Sequence, residues 1–272
     1  SLRAITESRR KTDRLDARVL AQLGATTSVA VLHTVDVIDE SVQSDRAVLL
    51  ARDLLVRCRT QQISHVRGVT KAWGVQLGSA TSKCFPVKVR ERIPAPLLPA
   101  LAPVLESILR LTEAIAAYDY QLKQLAEGRY AHSRLLTQVP SVGTLTALTY
   151  LWTIRDPKRF TKSRQVGAYV GLAPSSRASG QRDPQLRISK QGNPMLRRLL
   201  VQCAHHILAR PGCDGSLRSF GLRIAAQGGK RGKKRAVVAI ARKLAVLLHH
   251  LWKTGEVYEP KLGAVTELKN AA

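Results

Sequence analysis

Residues 97–125 read LLPALAPVLESILRLTEAIAAYDYQLKQL, and their periodicity decides how the middle of the chain folds. Leu97, Leu101, Leu105, Ile108, Leu111, Ile115, Tyr118, Leu122 and Leu125 advance by steps of 4, 4, 3, 3, 4, 3, 4 and 3. An α-helix repeats every ~3.6 residues, so these steps hold all nine side chains on one face for roughly eight turns. Upstream, Ser41 to Trp73 predicts a second long helix: Val48, Ala51, Leu55 and Cys58 step by three and four, and the phase then slips by one residue to Ile63, Val66, Val69 and Trp73. Gly, Ser and Pro mark residues 74–96 as a loop. Two such helices form an antiparallel hairpin or a dimerising coiled coil, and the pattern is compatible with either.

Outward from the hairpin the character changes. Leu15, Val19 and Leu23 suggest a helix near the start, capped by Thr12 or Asp13, and the β-branched residues 25–39 read as a connector with strand propensity. After Gly128, short helices alternate with Gly- and Pro-marked turns up to Gly192. Two amphipathic helices follow, one carrying Leu196, Leu199, Cys203 and Ile207, the other Val237, Ile240, Leu244, Leu247 and Leu251; the tail beyond Pro260 is expected to be loose. The expected division is therefore 1–39, 40–128, 129–260 and a tail 261–272, in a mainly α chain. A low aromatic content of 4% agrees with helical packing of Leu, Val, Ala and Ile.

Charge narrows the partners. The 272 residues include 44 Lys and Arg against 19 Asp and Glu, a formal net charge of +25. Such an excess repels itself unless a polyanion is at hand, and nucleic acid rewards clustered cations by releasing counterions. No lipidation motif or long apolar stretch points to a membrane. The four cysteines, at 58, 84, 203 and 213, form no C-x-x-C and are expected to be reduced structural thiols.

Four segments carry candidate chemistry. LLTQVPSVGTLTALTYL, residues 135–151, looks like a helix-hairpin-helix, in whose turn Gly143 would aim backbone N–H groups at a DNA phosphate; Ser141 replaces the usual first glycine. In residues 171–198 a Ser-, Gly- and Pro-rich loop holding Ser175, Ser176 and Ser179 runs into Arg187, Lys190, Arg197 and Arg198, and Asn193 is placed to cap a helix opening at Pro194. Between Arg187 and Arg235 there are 12 Lys or Arg and one acid, Asp214, and the densest run includes Lys230, Arg231, Lys233, Lys234 and Arg235. These cations, with Gly143 and Asn193, are the expected nucleic-acid contacts. Asp13 and Asp16 lie three apart on a helix, so both face one way and could ligate Mg2+, but neighbouring Arg9, Arg10, Lys11, Arg14 and Arg18 make salt bridges and capping the stronger reading from spacing alone.

Taken in order, these strings resemble one family. ESRRKTDRLDARVLAQL (7–23), RCRTQQISHVRG (57–68), VPSVGTLTAL, RFTKSRQVGAYVGLAP (159–174), SGQRDPQLRISKQGNPMLRRLLVQ (179–202) and KKRAVVAIARKLAVLLHHLW (233–252) are similar to the DEDD-type insertion-sequence transposases of the 110/116/902 group, from about residue 3 to 260. The resemblance implies an RNase H-like (Holliday-resolvase-like) α/β domain whose four acids bind Mg2+, then the helical hairpin or coiled coil, then an all-helical C-terminal domain supplying a serine that attacks DNA. Asp13 and Asp16 match the last two acids, and Ser179 matches the nucleophile. The implied partners are the DNA of element ends and target, a structured guide RNA, and further copies of the chain in a dimer or tetramer, with no membrane; the expected setting is the bacterial cytoplasm, at the nucleoid. The family's first Asp and its Glu would precede Ser1, so an N-terminally truncated chain with half a metal site is expected. The competing expectation is a non-catalytic DNA- or RNA-binding remnant of such an element. The long apolar stripes disfavour a ribosome-associated basic protein.

Overall fold

The computed structural model describes residues 12–27, 37–175, 186–209, 215–227 and 229–260. Among them every regular element is helical, apart from one isolated antiparallel bridge between Pro174 and Ile188. The chain divides into two compact units, residues 1–43 and 44–272. In the first, α1 (Asp13–Thr26) is capped by Thr12, whose Oγ1 accepts a hydrogen bond from the Leu15 N–H at 3.4 Å. None of its residues is buried. Most of the expected strand-like connector, residues 28–36, lies outside the described residues.

Helix α2 (Glu40–Ala72) enters the second unit and runs against α4 (Leu98–Glu127). Their cross-links fix the direction: Arg52 Nε meets Asp119 Oδ1 at 2.5 Å, Arg59 donates to the Thr112 hydroxyl at 3.3 Å, and Gln62 to the Ser107 hydroxyl at 2.9 Å. One number rises as the other falls, so the pair is antiparallel. Leu101, Leu105, Ile108, Ile115 and Leu122 of the α4 stripe are buried, which makes the hairpin an intrachain structure. Burying each such side chain is worth about 1.5–3 kcal/mol.

The expected loop 74–96 needs correction. It contains a short helix, α3 (Phe85–Arg90), and a 3-10 turn at Ala95–Leu97. Phe85, Val89 and Ile93 recur every four residues and are buried with Val66, Leu77, Leu101, Leu105 and Ile108 in a core at the hairpin tip. Arg67 closes that core, its guanidinium 5.1 Å over the Phe85 ring and donating to the carbonyls of Leu77 and Gly78. Trp73, expected on the buried stripe, is 54% exposed just past the end of α2.

The other end of the hairpin is fastened by a carboxylate. Asp45 Oδ2 accepts from Arg129 Nη1 at 2.8 Å and from the Tyr130 hydroxyl at 2.7 Å. Burial, then the Asp45 hydrogen bond, raises the Tyr130 pKa, so the phenol remains a donor.

Short helices α5 (Ser133–Thr137), α6 (Thr144–Ile154) and α7 (Arg164–Tyr169) precede α8 (Pro194–Ala209), α9 (Ser216–Gln227) and α10 (Gly232–Thr254). α9 is an element that apolar spacing did not single out. α10 is the spine of this bundle: Val237, Ile240, Leu244, Leu247 and Leu251 are all buried, as their spacing predicts. Gly221 of α9 admits Ile240, whose Cδ1 lies 2.3 Å from where a Cβ would stand. His249 is fully buried on α10, with Nε2 donating to the Pro157 carbonyl and Nδ1 accepting from the Ser163 hydroxyl, both at 2.9 Å. Tyr150, also fully buried, donates to the Ala245 carbonyl at 2.7 Å.

Candidate nucleic-acid interface

Two glycines build the base of the site. Gly171 (φ +71°) and Gly192 (φ +73°) occupy the left-handed region, and each lets two backbone segments cross where a side chain would not fit. A Cβ on Gly171 would stand 2.2 Å from the Gln191 oxygen; one on Gly192 would stand 2.1 Å from the Tyr169 oxygen. From this crossing rises a short two-stranded stem. Ser175 N–H donates to the Arg187 carbonyl, Ser189 N–H to Ala173 and Lys190 N–H to Gly171, at 2.9, 2.9 and 3.1 Å. Lys190 itself adopts φ +57°, a conformation that costs a non-glycine residue about 1–2 kcal/mol.

The stem is tied to α8. Asn193 caps the helix as expected, its Oδ1 accepting from the N–H groups of Met195 (2.9 Å) and Leu196 (3.2 Å), while its Nδ2 donates to Thr153. Ile188 packs toward the core, and Arg187 and Lys190 are exposed. Neither cation makes an ion pair among the described residues. The stem ends at Ser175 and residue 186; Ser176 and Ser179 fall between them, outside the described residues. Ser175 is described, and its hydroxyl donates to the Arg187 carbonyl at 3.1 Å.

Two of the expected phosphate contacts have partners within the chain. Arg197 Nη1 donates to the carbonyls of Val170 (3.2 Å) and Gln191 (2.7 Å), stapling the glycine crossing to α8. Arg198 forms an ion pair with Asp53 of α2, which also meets Arg57 at 3.4 Å. Sequence spacing could not reveal these partners: Val170 and Asp53 lie 27 and 145 residues away, and Gln191 is reached only through the turn at Gly192.

The basic run after α9 lies at a helix start. Arg231 occupies the N-cap of α10 with no side-chain cap, no acid falls in the first turn, and Lys233, Lys234 and Arg235 are exposed. Lys230 lies in the 3-10 turn Gly229–Arg231. A helix N-terminus carries about half a positive charge and uncapped N–H donors, so each exposed cation there costs about 0.3–1 kcal/mol without a counter-anion.

Gly143 does not use the backbone freedom expected of it: it is the N-cap of α6 with φ −96° and ψ 175°, extended backbone open to any residue. The left-handed residue of this turn is Ser141, at φ +71°. A Cβ on Gly143 would meet nothing within 4 Å, so the helix start is open to solvent.

In the first unit Asp13 and Asp16 share the first turn of α1, near the positive end of the helix dipole. Asp13 is exposed and Asp16 half-buried, and neither forms an ion pair among the described residues. No cluster of three or more His, Cys, Asp or Glu capable of holding a metal occurs among the described residues. None of the described helices is long and apolar enough to cross a membrane.

Comparison with known proteins places this arrangement. Residues 133–215, which span α5 to the start of α9, match the family model described as Transposase IS116/IS110/IS902 family. Over 259 residues the chain is 32% identical to the transposase for insertion sequence element IS1111A of Coxiella burnetii, covering 91% of this chain and 68% of that protein. It is 31% identical over 203 residues to the transposase for insertion sequence element IS1328 of Yersinia enterocolitica, covering 74% and 60% respectively. With a probable family 20 transposase of Pseudomonas aeruginosa it shares 28% identity over 257 residues, covering 92% and 74%. The matched region thus spans 60–74% of the length of these relatives. Identity across nearly the whole chain, together with the matched C-terminal segment, establishes that this protein belongs to the IS110/IS116/IS902 family of transposases.

Proposed function

We propose that the chain acts within a recombinase that moves an insertion sequence, and that its C-terminal bundle grips DNA while Ser179 attacks a phosphodiester. The observation that carries the DNA-facing part is the start of α10, where exposed Lys233, Lys234 and Arg235 gather at the uncapped positive end of a helix. That placement is unfavourable in the free protein and favourable against phosphate. Arg187 and Lys190 are also exposed, and in sequence they follow the segment that holds Ser179.

The serine assignment rests on the family resemblance of residues 179–202. In the proposed step the Ser179 oxygen bonds to phosphorus, the bond from phosphorus to a deoxyribose oxygen breaks, the serine loses its proton and the departing oxygen gains one. The phosphoserine diester keeps the bond energy for rejoining the strand. Arg187 and Lys190 are assigned to offset the charge that grows on the non-bridging oxygens. Arg197 and Asn193 are assigned to position the stem, since their polar groups already hold it to α8.

Asp13 and Asp16 are assigned to hold Mg2+, which takes hard oxygen ligands and often only one or two protein carboxylates alongside phosphate. Their carboxylates, on one helical turn and without an ion pair among the described residues, suit that ion as part of a larger ligand set. Bound there, it would neutralise phosphate charge. The RNase H-like character of the first unit, a helix-hairpin-helix role for Ser141–Gly143, guide-RNA binding and assembly into dimers or tetramers belong to the same proposal.

Two measurements test it. Replacing Lys233, Lys234 and Arg235 with Gln is expected to lower affinity for a 30-bp duplex and flatten its logarithmic salt dependence by about 3, at about 0.9 per lost phosphate contact. Unchanged affinity and slope would remove α10 from the interface. Ser179→Ala is expected to abolish covalent adducts with a nicked DNA substrate while leaving binding intact. Adducts persisting in that variant would refute the nucleophile.

A further inference from the structure

Charge along the hairpin is segregated. The shaft, residues 40–63 and 101–127, carries six Lys or Arg against seven Asp or Glu. The tip, residues 64–100, carries six against one, Glu91. Of the six, Arg67 is engaged in closing the tip core, and Arg92 Nη1 lies against Gly78. Lys71, Lys83, Lys88 and Arg90 are exposed and make no ion pair among the described residues. Beside Lys71 at the end of α2 stands Trp73, 54% exposed.

We infer that the hairpin tip is a second nucleic-acid contact, separate from the C-terminal bundle, which binds unpaired nucleotides through stacking on Trp73 and through phosphate contacts to Lys71, Lys83, Lys88 and Arg90. An exposed indole offers a flat face, which an unpaired base can cover; bases in a duplex are already stacked and present only their edges. The tip is preorganised, because α3 is pinned on a core of its own through Phe85 and Val89, 0% and 2% exposed. The same fact argues against an anionic membrane. Interfacial helices turn a continuous apolar face outward, whereas α3 turns its apolar face inward and leaves only Val87 exposed. The inference needs only a nucleic-acid partner and stands apart from the serine chemistry.

The test uses the full chain and fluorescein-labelled 20-nucleotide single strands of DNA and of RNA without self-pairing, with a duplex and vesicles of phosphatidylglycerol and phosphatidylcholine as comparators. The quadruple Ala variant of Lys71, Lys83, Lys88 and Arg90 is expected to flatten the single-strand salt dependence by about 3, at about 0.7 per contact. Trp73→Ala is expected to weaken single-strand binding about tenfold and duplex binding less than twofold. Strand binding should quench indole emission more strongly in the parent than in Trp73→Phe, because Trp152 is buried and Trp252 half-buried. A preference between the two single strands identifies the source of the nucleotides. Unchanged single-strand affinity and slope in the quadruple variant, or vesicle binding that depends on Trp73 while strand binding does not, would overturn it. The triple Gln variant of Lys233, Lys234 and Arg235 separates the two readings: if it loses single-strand binding while the tip variants keep theirs, the tip proposal falls and the bundle proposal stands, and if only the tip variants lose binding, the reverse holds.

Discussion

Gly192→Ala is the sharpest probe of the site's architecture. The new Cβ would stand 2.1 Å from the Tyr169 carbonyl oxygen, and the backbone would have to keep φ +73° with a side chain attached. The left-handed conformation costs an L-residue about 1–2 kcal/mol. Relieving an overlap against backbone requires the crossing to shift, a strain of about 1–3 kcal/mol for an overpacked position. The sum is about 2–5 kcal/mol. For a folded unit of this size each kcal/mol lowers Tm by about 2–4 °C, so a fall of roughly 4–20 °C is expected by circular dichroism at 222 nm. Hydrogen exchange should quicken at the amides of Ser175, Ser189 and Lys190, which pair across the stem. Gly143→Ser is the control: its backbone is extended, nothing lies within 4 Å, and serine is a good N-cap, so Tm should hold or rise. A Gly192→Ala protein melting within 1 °C of the parent, or a Gly143→Ser protein falling as far, would refute the steric argument.

Other perturbations follow from the packing. His249 has its pKa lowered, first by burial; a base held neutral in the fold binds protons more readily once unfolded, so stability should be full above about pH 6.5 and fall as pH drops below it. His249→Asn should flatten that fall in melts between pH 7.5 and 5; an unchanged slope would assign it to other groups. Gly221→Ala should destabilise, because its Cβ would stand 2.3 Å from Ile240 Cδ1, and Ile240→Val in the same chain should recover part of the loss. Strict additivity in that pair would contradict the close approach of α9 to α10. A double-mutant cycle on Asp53 and Arg198 should give a coupling of only about 0.2–1 kcal/mol, since the Arg198 side chain is 52% exposed to screening solvent.

Several elements could be read from the sequence because they depend on neighbours three or four residues away. The α4 stripe and the α10 spine follow from that spacing, as does the Asn193 cap. The hairpin tip shows how a familiar signal is hidden: Phe85, Val89 and Ile93 keep helical spacing, but Pro86, Pro94 and Pro96 around them read as a loop. Proline is well tolerated in a first helical turn, which is where Pro86 lies. Gly143 misled in the opposite sense. Composition pointed to a glycine where the backbone needed freedom, yet Ser141 two residues earlier carries the positive φ. The roles of Arg197 and Arg198 were not legible at all. Their identity says cation, and only the folded chain puts Val170, Gln191 and Asp53 against them.

α10 starts among exposed Lys and Arg and continues as the helix that contributes the most buried residues to the bundle. On the proposed role, an anion seated at its first turn would steady the interior as well as the surface. Binding at a hundredfold excess over Kd adds about 2.7 kcal/mol to any fold that binds only when native. A bundle held this way would be firmest when loaded, and proteases would cut it most readily while it searches for a target.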